Sequence, residues 1–249
     1  MKLQRDQIIC AIRDNLKNTP SVFAFWLEGA DSTNSVDTYS DLDMWLDVKD
    51  GHEGKILREI ERILLRLGPL DFVYEIEHPH PKIRQKIFHL KNSAKSLLLD
   101  VCIQSHSRNF KFVREYIHEH PKVMFDKAAV IKFKKVDKSK LNKELESRIH
   151  HLKNIFQQDI RVITKIKRND FLEATAYYHK WILGPLVELL RVKYAPYKRD
   201  YYLKHVSRDL PKTIVKKLEH LYRITSLNDM ARKIRIAQKL FNETLQSIN

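Results

Sequence analysis

Two aspartates separated by one residue, Asp41 and Asp43, stand in the run Tyr39-Ser40-Asp41-Leu42-Asp43-Met44-Trp45-Leu46. On a β-strand, residues i and i+2 share a face. The spacing therefore sets the two carboxylates side by side and turns Leu42 and Met44 the other way. Adjacent carboxylates repel unless a cation lies between them. Magnesium, which takes hard oxygen ligands at about 2.0–2.1 Å, is the usual one. Upstream, residues 22–27 form an apolar run of strand length, broken by Gly29-Ala30 and a polar segment with Asp31, Ser32, Asn34 and Ser35. A glycine-small turn lets the backbone approach a phosphate, and the hydroxyls of Ser32 and Ser40 can donate to it. An ordinary half-solvated strand also alternates acid and apolar residues. It is the order strand, glycine, small-residue loop, paired acids that points to a site.

Leu27-Glu28-Gly29-Ala30-Asp31-Ser32 followed by Asp37-Thr38-Tyr39-Ser40-Asp41-Leu42-Asp43 resembles the nucleotidyltransferase superfamily of DNA polymerase beta. It looks most like the branch of small-molecule, antibiotic-modifying nucleotidyltransferases. The pattern of that family is an apolar residue, Gly, Ser or Gly, a spacer, and Asp-apolar-Asp. Ala30 departs from it, removing one possible hydroxyl contact to a phosphate. The resemblance implies that Asp41 and Asp43 bind the metal of a nucleoside triphosphate, and it covers roughly residues 20–105.

The elements that must position these residues are legible from periodicity. Leu3, Ile8, Ile9, Ile12 and Leu16 have amphipathic-helix spacing, ended by Asn18-Thr19-Pro20. A second helix is expected over 55–67, stopped by Gly68-Pro69. Strands are expected over 71–76, 82–90 and 96–104. His78-Pro79-His80 between two of them reads as a proline-rich surface turn. In the last strand Asp100 interrupts the apolar run 97–103, and a buried carboxylate without a partner is costly. Either Asp100 faces solvent at a sheet edge or it has a role. The resemblance implies a third carboxylate completing the metal site on a later strand, where Asp100 fits; Asp71, Glu75 and Glu77 compete from a more polar strand.

The formal charge is +15, unevenly spread. Residues 1–126 hold 18 Lys and Arg against 19 Asp and Glu, and residues 127–249 hold 28 against 12. This shift predicts a domain boundary near 126–140, taken as a split of 1–126 from 127–249. Beyond it the periodicity is helical. One long helix is expected over 141–166, then one from Phe171 to about Tyr194, capped by Asn169-Asp170 and kinked at Gly184-Pro185. Helical segments are expected over 200–207, 212–223 and 227–248, the last capped by Ser226. The fold class is thus α+β: a mixed sheet with flanking helices, then an all-helical bundle. Cys10 and Cys102 make no disulfide framework and no zinc site, which suits a reducing cytoplasm. No stretch is long and apolar enough to span a membrane.

In the helix after Asp170, the residues Glu173, Tyr177, Lys180, Gly184, Glu188 and Arg191 fall at three- or four-residue intervals, a polar stripe. A solvent-facing stripe with ion pairs is one reading. The resemblance implies another, a helical domain that closes over the nucleotide and supplies acceptor contacts. Lys180 would then meet the nucleotide, and Glu173 or Glu188 would serve as catalytic base.

Together these readings give a magnesium-dependent nucleotidyltransferase with one or two ions, ATP as the expected donor and pyrophosphate as product. Asp41, Asp43 and Asp100 are the metal ligands. Gly29, Ala30, Ser32 and Ser40 line the phosphates, and Asp100, Glu173 or Glu188 takes the acceptor proton. The expected acceptor is a small molecule. A second domain of net positive charge is a poor partner for a polycationic aminoglycoside unless the cleft is acidic. The alternatives are an enzyme or binding module acting on nucleic acid through the basic half, and a catalytically silent relative acting as a protein partner.

Overall fold

The computed structural model describes residues 2–248 and divides into two compact units, Met1–Val136 and Asp137–Asn249. In chain order the first unit contains α1 (Arg5–Leu16), β1 (Val22–Leu27), α2 (Gly29–Ser32), β2 (Leu42–Val48), α3 (Glu53–Leu67), β3 (Leu70–Ile76), β4 (Ile83–Leu90), β5 (Leu99–Ser105), β6 (Phe112–Val113), β7 (Lys122–Asp126) and β8 (Phe133–Lys134). Six strands form one sheet in the order β3-β4-β5-β2-β1-β7, and β6 pairs with β8 in a small second sheet. Within the large sheet β2 and β5 are parallel and the other pairings antiparallel, so the sheet is mixed.

Alternation decides what each face of this sheet carries. Leu42, Met44, Leu46 and Val48 of β2 are fully buried with Leu99, Val101 and Ile103 of β5. They form one core with Ile8, Ile12 and Leu16 of α1 and Ile56, Ile60, Ile63 and Leu64 of α3. Both helices present a stripe at 3.6-residue spacing, so burial of that stripe holds them on one face of the sheet.

Two expectations for this unit need correction. The strand containing Asp100 begins at Leu99, because residues 94–98 turn: Leu97 N–H donates to Ala94 O (2.9 Å) and Leu98 N–H to Ser96 O (3.0 Å). The strand Lys122–Asp126 was not foreseen; a short run beside His120-Pro121, it takes the sheet edge next to β1. The units divide at Val136/Asp137, inside the window 126–140 and ten residues beyond the 126/127 split. Residues 127–136 stay with the sheet because the Asp126 carboxylate accepts the N–H groups of Val130 and Ile131 (both 2.9 Å) and β8 pairs with β6. Net charge marks composition; pairing of the backbone marks the boundary.

The second unit is helical: α4 (Lys138–Phe156), α5 (Ile160–Lys167), α6 (Phe171–Tyr178), a π-helical turn (His179–Leu183), α7 (Gly184–Tyr194), α8 (Val206–Asp209), α9 (Lys212–Tyr222) and α10 (Leu227–Gln246). Its core includes Leu186, Leu190, Met230 and Ile234, and Phe156 stacks on Phe241 with ring centroids 3.9 Å apart. Asp170 and Ser226 cap α6 and α10 by accepting the N–H of Glu173 (3.0 Å) and Asp229 (3.1 Å). The long helix over 141–166 is two helices, separated by a 3₁₀ turn over Gln157–Asp159 in which Gln158 leaves helical geometry. Of the segment 200–207, residues 202–205 are turn, because Tyr202 and His205 adopt left-handed backbone, and helix begins only at Val206. Arg191 secures that turn by donating to Tyr202 O (2.5 Å) and Lys204 O. Pro185 is accommodated by the π-helical turn that precedes it. That wide turn shifts the helical phase, so the polar stripe does not continue: Arg191 is fully buried and bonded to Asp209.

Candidate active site on the acidic sheet face

The face of β2 turned away from the apolar core carries Asp43, Trp45 and Asp47, and that of β5 carries Asp100, Cys102 and Gln104. These residues pair in register, Asp43 with Asp100, Trp45 with Cys102 and Asp47 with Gln104. Neighbouring strands lie about 4.8 Å apart, so the parallel pairing of β2 with β5 brings two carboxylates 57 sequence positions apart onto adjacent backbones. From β1, Trp26 stacks against Trp45 (centroids 6.0 Å, planes 12° apart). Just past the end of β1, Glu28 N–H donates to Asp43 O (3.1 Å).

Gly29 opens α2 with φ +62°, a conformation that costs glycine little. A Cβ built there would lie 2.1 Å from Asp43 Oδ2. The glycine is therefore required twice, by its backbone and by the carboxylate seated against it. Ser32 Oγ donates to Gly29 O (3.0 Å), closing the turn. Asp41 lies one residue before β2, and its backbone is fastened from a distance. Arg5, at the start of α1, donates through Nη1 to Ser40 O (2.9 Å) and through Nη2 to Asp41 O. The same guanidinium grips buried Asp31 of α2, with Nη2 to Oδ2 at 2.6 Å. Its planar fork thus ties α1, α2 and the entry to β2 together.

The electrostatics of this face are acidic. Burial, with the repulsion of Asp41 adding to it, pushes the Asp100 carboxyl above its ordinary value, while Gln85 opposes the shift. Gln85 Nε2 lies 2.8 Å from both Asp100 oxygens. Burial likewise raises Glu28 to about 7 despite the hydrogen bond from Trp26 Nε1 (2.9 Å), and the Asp43 charge adds to the effect. Burial and the neighbouring acids also push the Cys102 thiol up, so it is an inert thiol at neutral pH. Glu28, Asp41, Asp43 and Asp100 thus lie near enough for their charges to act on one another, Asp43 on Glu28 and Asp41 on Asp100, and all offer the oxygen donors that suit a hard divalent cation. Among the described residues, no three His, Cys, Asp or Glu side chains converge on a single point as a closed set of metal ligands.

The structure brings Asp43 and Asp100 together as register partners, with Asp41 near enough for its charge to act on Asp100. Gly29, Ala30 and Ser32 form the turn beside Asp43. The Ser40 hydroxyl is engaged in its own turn, donating to Asp37 Oδ1 (2.8 Å) and accepting from Asp37 N–H (3.0 Å). The other three candidates lie in the helical unit. Glu173 pairs with Lys165 (2.7 Å), Glu188 pairs with Arg148 through both carboxylate oxygens, and Lys180 lies over the Trp181 ring. Sequence reasoning passed over Glu28, Arg5 and Gln85 as site residues. Glu28, an acid between Leu27 and Gly29 at a strand end, carried a visible signal. Arg5 and Gln85 carried none, since their partners lie 26 and 15 positions away.

No protein-family model matches the sequence, and no curated sequence is significantly similar to it. Among solved structures it is similar to an aminoglycoside 6-adenyltransferase from Bacillus subtilis, at 15% identity and a TM-score of 0.39 over 99% of this chain and 90% of that one. A nucleotidyltransferase-like protein from Exiguobacterium sibiricum matches at 13% identity and a TM-score of 0.36, over 98% and 75% of the two chains. No helix among the described residues is long and apolar enough to cross a membrane.

Proposed function

We propose that this chain is a nucleotidyltransferase that moves a nucleoside monophosphate from a nucleoside triphosphate to an acceptor hydroxyl and releases pyrophosphate. The observation that supports it best is the in-register pairing of Asp43 with Asp100 beside a glycine that leaves room for the Asp43 carboxylate. Asp41, Asp43 and Asp100 would hold one or two magnesium ions, which when bound neutralise charge on the triphosphate. The turn Gly29, Ala30, Ser32 offers backbone at close range to the phosphates. In the transfer, the acceptor oxygen forms a bond to the α-phosphorus as the bond to the β-phosphate breaks, and its proton passes to a carboxylate. Asp100 is the favoured proton acceptor, because Glu173 and Glu188 each hold a cation within the helical unit. The donor nucleotide is ATP in this reading, and the acceptor is a small molecule.

The test is incubation of the protein with Mg²⁺, each labelled nucleoside triphosphate and a metabolite extract, followed by mass spectrometry of new adducts. Wild type should form a nucleotidylated product. Asp43→Asn should lose MgATP binding by calorimetry, by about a hundredfold or more, and Asp100→Asn should keep binding and lose turnover. Unchanged MgATP affinity in Asp43→Asn would sink the proposal.

A further inference from the structure

The same sheet face continues past the acids into a second, differently charged place. At the far end of β2 and β5 lies a cavity of about 260 Å³ walled by residues 106–111, 128–130 and Lys132. Its floor is a chain of polar side chains that starts from the buried pair Asp47 and Gln104. Asp47, 1% exposed, accepts from Gln104 Nε2 (2.7 Å) and is bonded to His106 Nδ1 (2.6 Å), and Arg108 Nη1 donates to Gln104 Oε1 (2.5 Å). Asp47 is the one acid among the described residues that line the cavity, and it is engaged by these neighbours.

Three cations line the same space: Arg108, Lys111 and Lys132. Neither lysine has an ion-pair partner among the described residues, and no carboxylate hydrogen-bonds Arg108. The Arg108 guanidinium is held between aromatic rings, 4.3 Å from the Phe110 centroid and 5.7 Å from that of Trp45. This packing fixes its orientation without consuming its donors. The opposite wall is preformed as well. The Asp126 carboxylate gathers the N–H groups of Ala128 (3.3 Å), Val130 (2.9 Å) and Ile131 (2.9 Å), and Ala129 is held at φ +51°. A non-glycine residue keeps that conformation only when its surroundings over-determine it.

The charges of Glu28 and Asp47 act on Arg108, but Lys111 and Lys132 have no ion-pair partner among the described residues, and cations around a preformed concavity raise the local concentration of anions. We propose that this cavity is an anion subsite that takes the phosphate or carboxylate end of the acceptor molecule. The acceptor assignment rests on the transfer reading of Asp43 and Asp100; the binding of an oxyanion does not. Asp43 and Asp47 lie four residues apart on one strand face, about 13 Å at about 3.3 Å per residue. The acceptor class is therefore a small molecule whose reacting hydroxyl and anionic group are separated by about that span. Trp45 lies between them, under Arg108, as an apolar bridge.

The experiment is a titration of the full chain with inorganic phosphate at low ionic strength, read by calorimetry and by NMR shifts of the backbone amides of 107–111 and 128–132. It is repeated with a saturating non-hydrolysable nucleoside triphosphate and Mg²⁺. Wild type should bind phosphate saturably, with shifts confined to those amides and the affinity unchanged by the nucleotide. Lys111→Met/Lys132→Met should weaken binding by about tenfold or more, and Arg108→Gln likewise, as expected for lost charge-assisted hydrogen bonds. Asp43→Asn should bind phosphate as wild type does. Absence of saturable binding, or wild-type affinity in the double lysine variant, overturns the subsite. Displacement of phosphate by the nucleotide gives the cavity to the triphosphate and overturns the acceptor assignment. A protein that binds phosphate here but no nucleotide in any condition also overturns the acceptor assignment, through failure of the transfer reading.

Discussion

The two faces of the six-stranded sheet are built from the same strands and obey opposite rules. On one face, Leu42, Met44, Leu46, Val48, Leu99, Val101 and Ile103 are buried under α1 and α3, and nothing there can titrate. On the other, the intervening positions of β2 and β5 hold Asp43, Asp47, Asp100 and Gln104, with Glu28 from the end of β1. The first face supplies stability through burial of apolar area. The second holds carboxylates that burial and mutual repulsion keep above their ordinary values. When ionised, such groups oppose the folded state and favour whatever cation relieves them. A single residue of register slip on β2 would exchange the two sets.

Arg5 is where the two faces are coupled, since it leaves the N-terminus of α1 on the apolar side and anchors the loop that precedes β2. Arg5→Ala is expected to have the largest effect on stability, about 3–5 kcal/mol, because it strands the buried Asp31 carboxylate without its partner. Denaturant unfolding would measure it. A double variant that also carries Asp31→Asn should recover part of the loss, and no recovery would mean that the pair is incidental to the loop. Leu46→Ala on the apolar face should cost about 2–5 kcal/mol, with transfer per folded molecule preserved. Asp43→Asn on the other face should reverse the pattern, with transfer gone and the thermal midpoint unchanged or raised. Equal destabilisation by the two variants would end the distinction between the faces.

The pH dependence sharpens it. Glu28 is raised to about 7, chiefly by burial. Between the ordinary glutamate range and pH 7 the folded chain keeps a proton that the unfolded chain has released. The contribution is full at low pH and is lost as pH rises through about 7. At about 1.4 kcal/mol per pH unit it amounts to about 3 kcal/mol. Chelator-treated wild type should therefore lose stability between about pH 4 and about pH 8, and Glu28→Gln should lack that part of the loss. Identical pH profiles would show that Glu28 ionises freely. Ser40→Ala should be the mildest change, about 1 kcal/mol or less, because its hydroxyl bonds only within the Asp37 turn. Transfer reduced by about tenfold or more in that variant would return the Ser40 hydroxyl to the phosphates.

Local pattern alone determined much of this protein. Period-two alternation placed Asp43 opposite Leu42 and Met44, glycine at position 29 marked the turn, and 3.6-residue spacing marked α1, α3 and most of the helical unit. These are properties of single elements, written within a few residues of one another. Only the tertiary structure decided that β5 runs parallel to β2 with Asp100 abreast of Asp43, since pairing between segments 57 positions apart leaves no local trace. The same holds for the Arg5 clamp, for Gln85 on Asp100, and for the edge strand Lys122–Asp126. It holds also for Arg191, whose place in a polar stripe was reassigned to the core by one π-helical turn. Periodicity tells which face a side chain takes on its own element; which element lies across from it is settled by burial and backbone pairing summed over the whole chain.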